Sequence, residues 1–130
     1  MSTEENKAIV RRWNETLNTG DLSILDELGG PNYILHGEEN KYNLKESKQM
    51  LTSIRTTFPD INLTIEDQIA EGDKVVIRYT IRGTHSSGKE LQWTGISIYR
   101  LENGKIAEDW AENDMMNMWM QELGGISPTG

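Results

Sequence analysis

From Ile61 onward apolar residues alternate with polar ones, and three turn signals divide this half of the chain into four runs of strand length. Gly72-Asp73, Ser86-Ser87-Gly88 and Asn103-Gly104 separate segments 61–70, 75–85, 89–101 and 104–114. Asn-Gly between alternating runs is a strong hairpin signal, because a type I′ turn needs positive φ at both central residues. Connections this short join only antiparallel neighbours, since a parallel crossover needs a dozen or more residues. The second half of the chain therefore predicts an antiparallel meander.

The first half has the other period. Ser2-x-x-Glu5 has the form of a capping box, and Ile9, Val10, Trp13 and Leu17 then repeat at helical spacing. Gly20 stops that helix, and Asp21 can cap a short second one carrying Leu22, Leu25 and Leu28. Gly29-Gly30-Pro31 is expected to break that second helix, before a short strand over residues 32–36 with a polar loop after it. Asn43-x-x-Glu46 starts a third helix, with Leu44, Ser47, Met50, Leu51, Ile54 and Phe58 on its inner side and Pro59 at its end. Asn113 or Asp114 can cap a last helix running to Leu123. Helices followed by a meander define an α+β class, in one domain over residues 1–130 with a loose tail at 125–130. Long strands curving round packed helices leave a hollow between the two layers.

Composition narrows the chemistry. The chain has 130 residues and a formal net charge of −8, from 21 acids against 13 bases. Its longest basic cluster is Arg11-Arg12, so a phosphate backbone gains little from it and nucleic acid is excluded as a partner. With no cysteine there is no disulfide framework and no thiolate metal site. His36 and His85 give no metal-ligand spacing, so no metal is expected. No run of about 18 apolar residues occurs, so no membrane helix is expected. A polar, acidic start, Met1-Ser2-Thr3-Glu4-Glu5, points to the cytoplasm. Nucleotide and serine-nucleophile signatures are missing.

The last strand carries the densest chemistry. With unbroken alternation, Ile106, Glu108, Trp110, Glu112 and Asp114 share one face. Acids among large apolar groups suggest the polar end of a ligand pocket, because burial raises a carboxyl toward the range useful for proton transfer. They equally suit an edge strand with solvated acids. On the third strand Leu91, Trp93, Gly95, Ser97 and Tyr99 share one side and Gln92, Thr94, Ile96, Ile98 and Arg100 the other. Either side suits a pocket, and Trp93, Ser97 and Tyr99 are favoured inward because Tyr and Trp bring a polar tip to an apolar cavity.

The order of elements is similar to the cone-shaped NTF2-like fold, a curved antiparallel sheet packed against N-terminal helices. Phe58-Pro59-Asp60-Ile61, Glu71-Gly72-Asp73-Lys74-Val75-Val76, Gly83-Thr84-His85 and Asn103-Gly104-Lys105-Ile106-x-Glu108-x-Trp110-x-x-x-Asp114 resemble the SnoaL-like polyketide cyclases. The resemblance runs from about Glu4 to Gly124. It implies a small cofactor-independent enzyme, an aldol cyclase, isomerase or lyase moving a proton alpha to a carbonyl of an apolar ligand. It implies an acid/base role for Asp114 and a pocket role for His36. Two departures stand out: Ser97 replaces a second pocket histidine, and the closing Gln-Leu-Gly is interrupted as Gln121-Glu122-Leu123-Gly124.

Each candidate keeps a second reading. Asp114 is a catalytic carboxyl or the N-cap of the last helix. His36 orients a ligand or is a structural histidine closing a strand. Trp13, Tyr33, Phe58, Trp93, Ser97, Tyr99, Trp110, Met118 and Trp119 line the pocket or pack the core. Arg78 and Arg82 are expected to pair with Glu66, Glu108 or Glu112 across the sheet. A homodimer through the sheet is expected. A non-catalytic small-molecule-binding protein and an epoxide-hydrolase-like enzyme are the rival functions.

Overall fold

A computed structural model describes residues 2–37 and 39–115. Three helices precede and flank one sheet: α1 (Thr3–Thr19), α2 (Ser23–Leu28) and α3 (Leu44–Thr57). The strands are β1 (Gly29–His36), β2 (Lys41–Tyr42), β3 (Asn62–Glu71), β4 (Lys74–Thr84), β5 (Glu90–Glu102) and β6 (Lys105–Asn113). From residue 116 on, the helix expected to run to Leu123 lies outside the described residues, and so do Met118 and Trp119. No described helix is long and apolar enough to cross a membrane.

Local chemistry sets the helix ends. Ser2 Oγ accepts the Glu5 amide at 3.0 Å while the Glu5 carboxylate accepts the Ser2 amide at 3.2 Å. Gly20, at φ +76, closes α1 in the left-handed conformation and donates its N–H to the Thr16 carbonyl at 2.8 Å. Asp21 Oδ1 accepts the Ser23 amide at 3.1 Å at the start of α2. Asn43 and Glu46 form a second full capping box, at 2.9 and 3.0 Å. One face of α1 buries Asn6, Val10, Trp13, Thr16 and Leu17.

The sheet order is β2-β1-β6-β5-β4-β3. Strands β3 to β6 form the expected antiparallel meander. At the β5–β6 hairpin Asn103 (φ 53) and Gly104 (φ 75) both take positive φ, as the turn requires. Two expectations change. Helix α2 ends at Leu28, the break expected from Gly29-Gly30-Pro31, but the strand expected over residues 32–36 already starts at Gly29. Gly30 lies close under β6, where an added Cβ would sit 3.2 Å from the Ile106 carbonyl oxygen, and Pro31 falls in the register shift between Gly29 and Ile34. The sheet is also mixed, since β1 runs parallel to β6.

The sheet is curved and unclosed, and helices cover its inner face. The core lies between them: Val10, Trp13, Leu17, Tyr33, Phe58, Ile77, Tyr79, Trp93, Tyr99 and Ile106 are among its buried members. Phe58 packs on Trp93 with ring centroids 5.3 Å apart, and Trp13 on Tyr33 at 5.1 Å.

Candidate functional site

A one-residue irregularity decides which carboxylate faces inward. The hairpin pairs Glu102 with Lys105 and Leu101 with Ile106, but the next pair is Arg100 with Glu108. Ala107 is the extra residue of a β-bulge. Past it the faces exchange. Ile106 and Asp109 are buried, while Glu108 and Trp110 are partly exposed and Glu112 fully so. The single face expected for Ile106, Glu108, Trp110, Glu112 and Asp114 is therefore split, and Asp109 stands on the inner side opposite Tyr99.

Asp109 is the acid that the inner layer encloses. It is 7% exposed, and its Oδ1 makes no hydrogen bond. Burial pushes its carboxyl up to about 7, against a smaller opposing influence from the neighbouring Tyr33 hydroxyl. Tyr33, 3% exposed, lies between Asp109 and Ser47 of α3. Burial pushes the Tyr33 phenol far up, with the Asp109 charge adding to it, so its hydroxyl stays a donor at neutral pH. Ser47 Oγ also lacks a hydrogen bond of ordinary geometry. Two orphaned buried oxygens thus flank one tyrosine hydroxyl. Such atoms cost free energy unless a ligand or water meets them.

The same inner face continues with two more phenols. The Tyr99 hydroxyl donates to Asn14 Oδ1 at 3.2 Å, and burial raises its pKa well above the usual phenol range. Tyr79 is raised by burial against hydrogen bonding with Ser97 and Asn113. It is wedged over Gly95, where an added Cβ would sit 2.5 Å from the Tyr79 hydroxyl oxygen. Ser97 faces Ala111 across the β5–β6 pair. Trp13, Tyr33, Phe58, Trp93, Ser97 and Tyr99 are all buried, but in separate groups: Trp13 packs on Tyr33, and Phe58 on Trp93 farther along β5 from Tyr99 and Asp109.

The other candidates stand elsewhere. Asp114 is exposed at the end of β6, where its Oδ1 accepts the Thr94 amide at 2.9 Å. Asn113 Oδ1, not Asp114, accepts the Met115 amide, at 3.1 Å. His36 lies on the outer face, stacked on Trp110 with centroids 4.9 Å apart and planes within 3°. Its Nε2 is 2.7 Å from Glu108 Oε2, and Arg100 Nε donates to Glu108 Oε1 at 2.7 Å. These partners, Arg100 first and His36 second, hold the Glu108 carboxyl below its usual value. Arg78 pairs with Asp67 at 2.6 Å and Arg82 donates to Gln92 at 3.0 Å, so neither takes the glutamate partner expected of it. His36 and Trp110 continue a cross-strand row with Ile98, Val76 and Ile69 on that outer face.

The family profile described as SnoaL-like polyketide cyclase matches residues 7–122. The chain belongs to the SnoaL-like polyketide cyclase family. A search of curated proteins finds no match. Among solved structures, AclR of Streptomyces galilaeus, titled a hydroxylase, is similar at 25% identity, TM-score 0.87, covering 97% of this chain and 89% of that one. A Bacillus cereus protein titled a polyketide cyclase is similar at 27% identity, TM-score 0.85, covering 98% and 87%. An LEH-like epoxide hydrolase of M. tuberculosis shares the fold, at 16% identity, TM-score 0.77, covering 95% and 92%. The SnoaL-like protein thus has the NTF2-like α+β cone, with helices packed on a curved, unclosed six-stranded mixed sheet.

Proposed function

We propose that this SnoaL-like protein moves protons alpha to a carbonyl of an apolar small molecule, as a cyclase or isomerase would, with Asp109 as the acid/base group. The observation that carries the reading is the enclosed Asp109 carboxyl, titrating near neutrality beside a tyrosine hydroxyl and with one oxygen unbonded. A group with a pKa near the working pH is populated in both forms, which suits it to take a proton and return it. As carboxylate, Asp109 would remove the proton from the alpha carbon. The Tyr33 hydroxyl would donate to the enolate oxygen that develops. After ring closure or rearrangement, protonated Asp109 would return the proton to the product. The Trp13 ring, packed on Tyr33 with centroids 5.1 Å apart, supplies an apolar neighbour that keeps water from competing.

This reading moves the proton-transfer role from Asp114 to Asp109 and leaves His36 outside the reacting set. Arg78 and Arg82 are held by Asp67 and Gln92, with no link to Asp109, so an Asp-Arg-Asp water relay gains no support from them.

The test is exchange of deuterium from solvent into the alpha carbon of 2-tetralone, monitored by NMR. The wild-type protein is expected to accelerate exchange, Asp109→Asn to lose about 100-fold or more, and Asp114→Asn to retain the rate. Loss in Asp114→Asn with retention in Asp109→Asn would overturn the assignment. Absence of any acceleration by the wild-type protein would favour a binding protein instead.

A further inference from the structure

Asp109 and Tyr33 are 7% and 3% exposed, so a ligand reaches them only if some element moves. The layers around them differ greatly in how they are held. The sheet side is locked by continuous pairing from β1 through β6 to β3. Helix α1 is held by Val10, Trp13, Thr16 and Leu17. Helix α3 buries a single side chain fully, and it is Ser47. Its Leu44, Leu51 and Ile54 are half-buried, and Met50 is 37% exposed. Leu44 and Leu51 pack against the core only partly buried, and a serine contributes almost no apolar area, so that end of the helix is held by less hydrophobic burial than α1.

The two ends of α3 are attached differently. At the C-terminal end Phe58, 1% exposed, is packed on Trp93, and the Arg55 guanidinium donates to the Leu17 carbonyl at the end of α1. At the N-terminal end the polar link is the ion pair between Lys48 and Asp26, with the Asp26 side chain 59% exposed. An ion pair this exposed holds weakly. Ser47 sits beside it, with its orphaned Oγ toward Tyr33.

We propose that α3 is the door of the site: its N-terminal half lifts about the Phe58–Arg55 anchor to admit a ligand, then closes with Ser47 Oγ as a hydrogen-bonding contact to it. This rests on Asp109 marking the site. The orphaned oxygens of Ser47 and Asp109 gain a further partner when a polar ligand group reaches them beside the Tyr33 hydroxyl, so closure is favoured by the ligand itself.

The chain has no cysteine, so Asp26→Cys/Lys48→Cys carries just two thiols. They would be joined by a short bismaleimide, with the same variant capped by N-ethylmaleimide as the comparison. Dicyclohexylcarbodiimide, an apolar reagent for protonated carboxyls, then probes Asp109 at pH 5, with peptide mass spectrometry locating the adduct. Modification of Asp109 is expected in the capped protein, about tenfold slower or more in the linked one. Equal rates, or no modification of the capped protein, would overturn the door. Amide hydrogen exchange supplies a second measure: residues 44–51 are expected to exchange well before β5, and matching rates would overturn it too. The acid/base reading fails separately, by a carbon-13 titration that finds an ordinary carboxyl at Asp109.

Discussion

Replacing Asp109 by Asn should make the protein more stable at pH 8 and leave it nearly unchanged at pH 4. The native carboxyl titrates at about 7 against an ordinary value of 3.8. The native state therefore holds a proton that the unfolded chain releases between these values. Stability falls where the native state binds the extra proton, so it declines as pH rises from about 4 to about 7 and is flat beyond. About three pH units at about 1.4 kcal/mol each make the ionisation penalty about 4 kcal/mol above pH 7. Asn keeps the shape and a hydrogen-bond donor but never ionises, so the variant escapes that penalty. Urea unfolding of both proteins at pH 4, 6 and 8 measures it. With an m-value of about 2 kcal/mol/M, the midpoint difference should grow by about 2 M between pH 4 and 8. Other carboxyls contribute equally to both proteins and cancel in the difference. A gap independent of pH would refute the reasoning, because it would mean that Asp109 titrates alike in the folded and unfolded chain.

Neighbouring geometry leads to two more expected outcomes. Gly95→Ala places a Cβ 2.5 Å from the Tyr79 hydroxyl oxygen and 2.7 Å from Asn113 Cβ, so it should cost about 1–3 kcal/mol in urea unfolding and displace the Tyr79 ring. Glu108→Gln removes the carboxylate that joins Arg100 and His36 on the outer face, where the Glu108 carboxyl is depressed by both. Its stabilisation is present above the unfolded pKa and lost as pH falls through the folded one, so the variant should lose about 1 kcal/mol or less at pH 7 and converge with wild type in acid, as read from thermal unfolding across pH.

The amino-acid sequence determined the elements whose causes are local. Ser2 with Glu5 and Asn43 with Glu46 announce helix starts because the capping bonds span three residues. Asn103-Gly104 announces its hairpin because φ preference belongs to the residue itself. The family resemblance lay in residues of this kind, and the profile match over 7–122 shows it. Alternation along β5 was legible, but both of its sides suited a pocket, and burial then fell on the side of Trp93, Ser97 and Tyr99 that the polar-tipped rings favoured.

Tertiary structure decided the register. An unbroken hairpin would place Glu108 opposite the inward Tyr99, and the bulge at Ala107 places Asp109 there instead. A bulge leaves little trace in residue type, and Ala107 beside Ile106 carries no glycine to mark it. Because side chains alternate with period two, that one extra residue exchanged every later side chain of β6 between the faces. It carried Glu108 and Trp110 out to His36 and brought in the one acid on β6 that burial can tune. The partner of a strand, unlike its turn or its cap, is chosen by a sheet edge far away in the chain: β1 lies parallel to β6 more than half the sequence later, and only their packing sets Tyr33 beside Asp109.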